Sequence, residues 1–225
     1  MSDQIIVPNK YSELISNYKN YIDTFTALYQ LKTENKEELN SIFKLIKTNL
    51  IDSKIYLPQN IVKTILDIIP FNNRYTKSYL DLVKIISEDY HIEELTNIPN
   101  FYVFLIYKGY GSDYESSKDL EKMNIKISNI HAENTIYRAI MDDDIERFIA
   151  FTVRDGFNKD QVLNSNLFPP SAVTKYSLLE LCCYYRSVRF FKLLRTKFNS
   201  EITPTCLKFS FLGGNPEIMS ECLKC

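Results

Sequence analysis

The chain has 225 residues, of which 45% are hydrophobic and 24% charged, and its formal net charge is −1. These values are typical of a globular protein that buries a sizeable core. The 27 Lys and Arg residues are balanced by 28 Asp and Glu residues. This balance argues against a nucleic-acid surface and against an electrostatic membrane anchor, because both need clustered basic residues. The longest apolar runs, such as residues 101–106, are also too short to span a bilayer.

The cysteines and the first residues indicate the compartment. Five cysteines, an odd number, mostly lie inside apolar patterns. That placement favours reduced thiols packed in a core over a disulfide framework. The N-terminus lacks the basic start and long apolar segment of a signal peptide. We therefore expect an intracellular protein, located in the cytoplasm.

The first part of the chain carries helical apolar patterns. Apolar residues recur at steps of three and four along residues 11–29, a spacing typical of one face of an α-helix. A second stripe covers residues 39–50. Pro58 suits the first turn of a third helix, which Pro70 ends. These patterns, together with only 5 glycines in the chain, predict an all-α fold.

The domain boundaries follow from where these patterns end. A fourth stripe lies at residues 79–86, and a fifth follows Pro99. Residues 1–108 are therefore predicted to form a helical N-terminal domain, in which no group of residues indicates a particular chemistry. Residues 109–130 are predicted to be a linker, since they are polar and contain glycine. Residues 131–225 are predicted to form a separate repeat domain.

The second part contains an internal repeat. Residues 134–148, 177–191 and 205–219 align without gaps. Each segment begins with Asn, Ser or Thr as a helix cap, continues through a pair of small or apolar residues, and reaches a turn before a second helix. The predicted caps are Asn134, Ser177 and Thr205. The predicted turn residues are Asp143, Arg186 and Gly214. The second helices are expected to open at Ile145, Val188 and Pro216.

This pattern resembles the ankyrin repeat, whose core is Thr-Pro-Leu-His-x-Ala-Ala-x-x-Gly-x-x-Glu followed by apolar residues. Residues 211–219 carry the resemblance most closely, with Gly-Asn-Pro-Glu-Ile at 214–218, and residues 176–183 carry it next. The layout is similar to divergent protozoan ankyrin-repeat proteins, in which a helical region precedes the repeats. The resemblance implies a helix-turn-helix solenoid of about three divergent repeats and a scaffold or protein-binding role without catalysis. A long insert, residues 152–175, separates the first two repeats.

Five residues are candidates for binding a protein partner: Tyr137, Arg138, Tyr184, Tyr185 and Lys208. Aromatic and Arg side chains are favoured anchors at interfaces. The resemblance implies that the end of a repeat's first helix often faces a concave surface, and the adjacent pair of tyrosines occupies that position. The alternative interpretation is that these tyrosines pack against the long insert.

Two other functions remain open. Cys222 and Cys225 form a Cys-x-x-Cys pair, which can ligate zinc or act as a redox dithiol. Packing of Cys222 in a helix is the simpler interpretation, and Cys182 and Cys183 most simply replace the small pair of a repeat. The second alternative is RNA binding by stacking on the 16 tyrosines, against which the near-neutral charge counts. We expect no cofactor, no metal and no nucleic-acid or membrane partner.

The last repeat is not followed by a polar capping repeat, which a helical solenoid needs at its end. We expect a partly exposed apolar face made by Phe211, Ile218, Met219 and Leu223. The sequence therefore predicts either a piece of a longer repeat protein or self-association through this face.

Overall fold

The computed structural model describes residues 10–92, 98–99, 101–103, 105–106, 132–170 and 175–224. The chain divides into two compact units, Met1–Lys122 and Met123–Cys225. The described residues are mostly helical, with one short two-stranded sheet, so the predicted all-α class is confirmed. The predicted linker, residues 109–130, lies outside the described residues. Within the described ranges, no helix has the length and apolar character needed to cross a membrane.

The first unit is built from helices that begin and end at residues with clear local signals. The α-helices whose bounds the structure describes in this unit are α1 (Lys10–Asn17), α2 (Lys19–Tyr29), α3 (Lys36–Ile46), α4 (Pro58–Ile68) and α5 (Thr76–Asp89). The Asn35 side chain caps α3 by accepting hydrogen bonds from the N–H groups of Glu37 and Glu38. Pro58 is the first residue of α4, as predicted. A π-helical turn (Lys47–Ile51) extends α3, and two 3-10 turns (Ile69–Phe71 and Asn73–Tyr75) connect α4 to α5.

The core of the first unit lies where α2 and α5 pack against α3 and where α4 packs against α5. It contains Leu28, Leu39, Ile46, Leu50, Ile61, Ile65, Tyr79, Leu82 and Ile86. The Tyr79 hydroxyl donates a hydrogen bond to the Leu28 carbonyl at 2.9 Å and accepts one from the Asn72 side chain at 3.0 Å. These two bonds satisfy the buried hydroxyl and attach the end of α2 to α5.

The prediction of one continuous helix over residues 11–29 is wrong. The chain leaves helical geometry at Tyr18, and two helices, α1 and α2, take the place of one. α1 buries none of its residues, and its apolar side chains Tyr11, Leu14 and Ile15 are exposed. The spacing of apolar residues predicted the helical conformation correctly, but it does not specify which part of the stripe finds a packing partner.

The described residues of the second unit form three helical hairpins. The first hairpin is α6 (Ile136–Asp142) with α7 (Ile145–Thr152), the second is α8 (Leu178–Tyr185) with α9 (Val188–Lys197), and the third is α10 (Pro204–Gly213) with α11 (Pro216–Leu223). α8 packs between α6 and α10, and α9 contacts both α7 and α11. The hairpins are therefore stacked in series, with first helices against first helices and second helices against second helices.

The turn of each hairpin lies at the predicted residue. Asp143, Arg186 and Gly214 all adopt the left-handed backbone conformation, with φ of 51°, 65° and 68°. This conformation ends the first helix and lets the chain reverse into the second. The second helices open at the three predicted positions. The periodic pattern therefore located the turns correctly, even where glycine is replaced by Asp or Arg.

Two of the three predicted caps are displaced. The side chain of Thr135, and not that of Asn134, caps α6 by accepting from the Arg138 N–H. The side chain of Thr203, and not that of Thr205, caps α10, and Pro204 is its first residue. Ser177 caps α8 as predicted and forms a capping box with Glu180. The displaced caps reflect first helices of unequal length, which a gap-free alignment cannot represent.

The insert between α7 and α8 contains the described sheet. Strand β1 (Val162–Asn164) pairs antiparallel with β2 (Lys175–Ser177), and Leu163 lies opposite Tyr176. Both of these side chains are buried, while their strand neighbours point away from the interior. The insert therefore adds a hydrophobic layer to the second unit.

Candidate partner-binding surface

The structure places Tyr184 and Tyr185 in the interior of the second unit. Their exposed fractions are 7% and 5%. The ring of Phe168, from the insert, lies 5.0 Å from the Tyr184 ring and 6.3 Å from the Tyr185 ring, centroid to centroid. The expectation that these two tyrosines face a surface is wrong, and packing against the insert, the alternative interpretation, is what the structure has.

The two tyrosines belong to an aromatic cluster formed by Phe168, Tyr176, Tyr184, Tyr185 and Phe209. Phe168 is its centre, since its ring contacts each of the other four, with centroid distances of 4.6 Å to Tyr176 and 5.8 Å to Phe209. Edge-on and offset arrangements of this kind stabilise aromatic pairs beyond their burial. The cluster joins the insert to α8 and α10, so these rings have a structural role.

The other three candidates lie at or near the surface. Arg138 is half-buried on α6, and its Nε donates a hydrogen bond to the Asp142 carboxylate at 2.7 Å. Tyr137 is half-buried on the same helix, and burial raises the pKa of its hydroxyl. Lys208 is exposed on α10. Tyr137 and Arg138 are thus brought together on one helix, whereas Lys208 is on the third hairpin.

A pocket of about 370 Å³ lies beside Tyr137. Its lining includes Tyr137, Phe151, Arg154 and Phe157, together with the backbone of Gly156. The Arg154 guanidinium carbon lies 4.3 Å from the centroid of the Phe151 ring, so cation and ring are stacked. We call this set the anchor pocket. It combines aromatic faces with one cation, the side-chain types that are favoured where a partner's side chain is held.

The loop that follows α7 shapes the anchor pocket. Gly156 adopts φ of 83°, a conformation that glycine takes without steric cost. The next residue, Phe157, packs its ring against Phe148 and Phe198 at centroid distances of 6.4 Å and 5.4 Å. Gln161 closes the loop by donating from Nε2 to the Asn158 carbonyl at 2.9 Å. The loop is therefore held to the hairpins through Phe157.

The sequence interpretation missed Phe151 and Arg154 as site residues. Gly156, preceded by Arg154 and Asp155, was the available signal for an ordered loop with charged side chains after α7. The pattern of the repeats drew attention to the first helices instead, although most of the lining of this pocket comes from the end of α7 and the loop that follows it.

The predicted Cys-x-x-Cys pair and the predicted apolar face both lie in residues 211–225. Cys222 is buried in α11, and Cys225 lies outside the described residues. Among the residues that the structure describes, no group of three or more His, Cys, Asp or Glu side chains is arranged to hold a metal ion. Phe211 and Leu223 are exposed, at 57% and 63%, but Ile218 is completely buried. The predicted exposure of Ile218 is wrong because the side chain points into the hairpin.

Residues 198–225 match the model of a family described as Domain of unknown function (DUF3447). The match covers α10 and α11 with the segment that precedes them. No curated protein and no solved structure is significantly similar to the chain.

Proposed function

We propose that the chain is a protein–protein interaction module, that its hairpins are divergent ankyrin repeats, and that it has no catalytic activity of its own. Three observations support the repeat assignment. The hairpins stack in series, their turns share the left-handed conformation at Asp143, Arg186 and Gly214, and the family matched at the third hairpin is found in ankyrin-repeat proteins. Repeat arrays of this kind present extended surfaces that bind other proteins.

The anchor pocket is the observation that carries the binding proposal. It is large enough for one or two side chains of a partner and lies within the second unit. Its ring faces, from Tyr137 and Phe151, favour an aromatic or aliphatic side chain. Its charges come from Arg154 and Asp155, which offset each other, so a partner needs no strong net charge to bind there. We propose a partner that inserts an apolar side chain into this pocket.

A charge reversal at the pocket tests the proposal. Arg154→Glu removes the cation stacked on Phe151 and places a second carboxylate beside Asp155. Lys63→Glu is the matched control, because Lys63 is an exposed residue of α4 in the first unit and the charge changes by the same amount. Affinity enrichment from extracts of the producing cells, with the full chain and both variants as bait, is the measurement.

We expect the wild-type chain and Lys63→Glu to enrich the same proteins, and Arg154→Glu to lose them. Circular dichroism of all three baits establishes that each is folded. Equal enrichment by Arg154→Glu, or by a chain that lacks residues 131–225, would show that the partner binds elsewhere.

We also propose self-association through the third hairpin, supported by the exposed apolar side chains of Phe211, Leu212 and Leu223. Large apolar side chains left in water forgo about 1.5–3 kcal/mol each relative to full burial, so covering them on a second copy is favourable.

A further inference from the structure

The anchor pocket is apolar inside and charged at its mouth. Ile136, which is 5% exposed, is the most deeply buried residue of its lining, and the rings of Tyr137 and Phe151 are half-buried. Arg154 and Asp155 are exposed. A side chain that enters this pocket therefore contacts apolar surface, while the backbone to which it is attached stays at the mouth, beside the two charged residues.

The Arg154 guanidinium is held against a ring but has no polar partner. Its carbon lies 4.3 Å from the centroid of the Phe151 ring. Among the residues that the structure describes, this guanidinium makes no hydrogen bond and no ion pair, not even with the adjacent Asp155. The Arg138 guanidinium, by contrast, donates to the Asp142 carboxylate at 2.7 Å. The N–H donors of Arg154 are therefore available to a ligand, in a plane that suits the two oxygens of a carboxylate.

We propose that the residue held in the anchor pocket is the C-terminal residue of the partner chain. Its large apolar side chain fills the pocket, and its α-carboxylate accepts hydrogen bonds from the Arg154 guanidinium at the mouth. This inference rests on the binding function proposed for the pocket and names the chemistry of the partner. Recognition of a chain end through its carboxylate is a known mode of peptide binding.

The arrangement of the pocket favours a terminal carboxylate over other anions. A residue within a chain has no charge on its backbone, whereas a C-terminal residue carries a carboxylate directly on its Cα, at the level of the mouth. A phosphate at the tip of an aromatic side chain would instead enter the apolar interior beside Ile136, where an anion without a charged partner is costly. An Asp or Glu side chain that follows the anchored residue would need its own side chain ordered, which costs conformational entropy.

Four short peptides, labelled with fluorescein at the N-terminus, test the proposal by fluorescence anisotropy with the full chain. The first is Gly-Ser-Gly-Ala-Phe with a free carboxylate, and the second is the same peptide with an amidated C-terminus. The third has a free carboxylate but ends in Ala instead of Phe, so it lacks the apolar side chain. The fourth, amidated Gly-Ser-Gly-Phe-Asp, places a side-chain carboxylate after the phenylalanine.

We expect the peptide with a free carboxylate and a terminal Phe to bind about tenfold more tightly than its amidated form, because charge-assisted hydrogen bonds to arginine are lost on amidation. The peptide that ends in Ala and the amidated peptide that ends in Asp should both bind more weakly than the first. The difference between acid and amide should shrink as salt is added, since the charges lie at the surface.

Variants assign the preference for the carboxylate to its source. Arg154→Gln removes the cation and keeps a side chain of similar length, so it should bind the free acid and the amide equally. Lys208→Gln is the matched control, because it removes one positive charge from an exposed position of the same unit and should keep the preference. Asp155→Asn removes a carboxylate that repels the ligand, and it should tighten binding of the free acid by about twofold.

Equal binding of the free acid and the amide by the wild-type chain would overturn the proposal. If the peptide that ends in Ala still bound more weakly in that case, the apolar pocket and its binding function would stand without recognition of a chain end. A preference that persists in Arg154→Gln, tighter binding of the amidated peptide that ends in Asp, or no binding of any of the four peptides would each overturn the proposal as well. The enrichment experiment with Arg154→Glu tests the binding function separately, because it does not depend on these peptides.

Discussion

The ring of Phe168 stands edge-on to the ring of Tyr184, with centroids 5.0 Å apart and planes inclined by 73°. Phe168 comes from the insert, and Tyr184 comes from α8. The insert therefore supplies the centre of an aromatic cluster on which the second and third hairpins rest. Removal of the Phe168 ring should therefore destabilise the stacked hairpins and not only the insert.

Phe168→Ala should destabilise the second unit by about 3–5 kcal/mol, the cost typical of deleting a buried phenylalanine ring. Phe168 is almost completely buried, and its ring contacts four others. Urea unfolding followed by near-UV circular dichroism of the tyrosines measures the loss.

Phe211→Ala is the matched control for that variant. Phe211 is the same residue type but is 57% exposed on α10, and surface substitutions usually change stability by no more than about 0.5 kcal/mol. Equal effects of the two substitutions would mean that the insert is not part of the core.

Some features of the second unit could be predicted from the sequence, and others could not. The positions of the turns and the starts of the second helices followed from a repeated pattern of polar and apolar residues, which local backbone preferences enforce. The burial of Tyr184 and Tyr185 did not follow, because it depends on a chain segment outside the repeat that folds back onto α8. The anchor pocket was missed for the same reason, since the loop containing Gly156 has no counterpart in the other two hairpins.

Arg186→Gly should stabilise the second unit by about 0.5–1 kcal/mol. Arg186 adopts φ of 65°, a conformation that costs a residue with a Cβ about 1–2 kcal/mol. Glycine avoids this cost, but part of the gain is cancelled because glycine also raises the conformational entropy of the unfolded chain. Thermal unfolding of the variant measures the gain as a higher midpoint.

Asp143→Gly is the contrasting variant at the equivalent turn. Asp143 has φ of 51°, but its carboxylate also accepts a hydrogen bond from Arg189 Nε at 3.2 Å. The loss of this bond should offset the relief of backbone strain, so little or no gain is expected. A gain at residue 143 that equals the gain at residue 186 would contradict the role of the Arg189 contact.

The first unit should lose stability at alkaline pH through Tyr79. Burial raises the pKa of Tyr79 to about 12, compared with 10.0 for an ordinary tyrosine. Because the native state holds this proton more tightly than the unfolded chain, its contribution is complete below pH 10 and is lost as the pH rises from 10 to 12. The shift corresponds to about 2–3 kcal/mol.

Urea unfolding of the full chain at several values of pH between 9 and 12 measures this loss. Tyr79→Phe should unfold more easily at neutral pH, by about 1 kcal/mol, because the hydrogen bond to the Leu28 carbonyl is gone. The variant should also lose less stability between pH 10 and 12 than the wild-type chain. Some loss remains, because burial also raises the pKa of Tyr102 to about 12. An unchanged pH dependence in this variant would exclude Tyr79 as the source.

The N-terminal helices show a second limit of sequence interpretation. The stripe over residues 11–29 has helical spacing throughout, yet of its apolar side chains only Leu28, in α2, is fully buried. Amphipathic spacing predicts a helix that is able to pack. Whether a neighbour covers that face depends on tertiary contacts that spacing does not encode.

Self-association through the third hairpin predicts a mass above that of one chain, 26.4 kDa, in light scattering at micromolar concentration. Phe211→Ser with Leu223→Ser replaces two exposed apolar side chains by hydroxyls. Because neither side chain is in the core, the double variant should keep its fold, and it should scatter as a single chain.

Tyr11→Ser with Leu14→Ser is the matched control for self-association, because it makes the same kind of change on α1, whose apolar side chains are also exposed. If the third-hairpin variant still associates and the α1 variant does not, the contact between copies lies in the first unit instead. A wild-type chain that scatters as a single chain at every concentration would remove the proposal. The distinction matters for the binding experiment, because a self-associated third hairpin leaves the anchor pocket, on the first hairpin, open to a different protein.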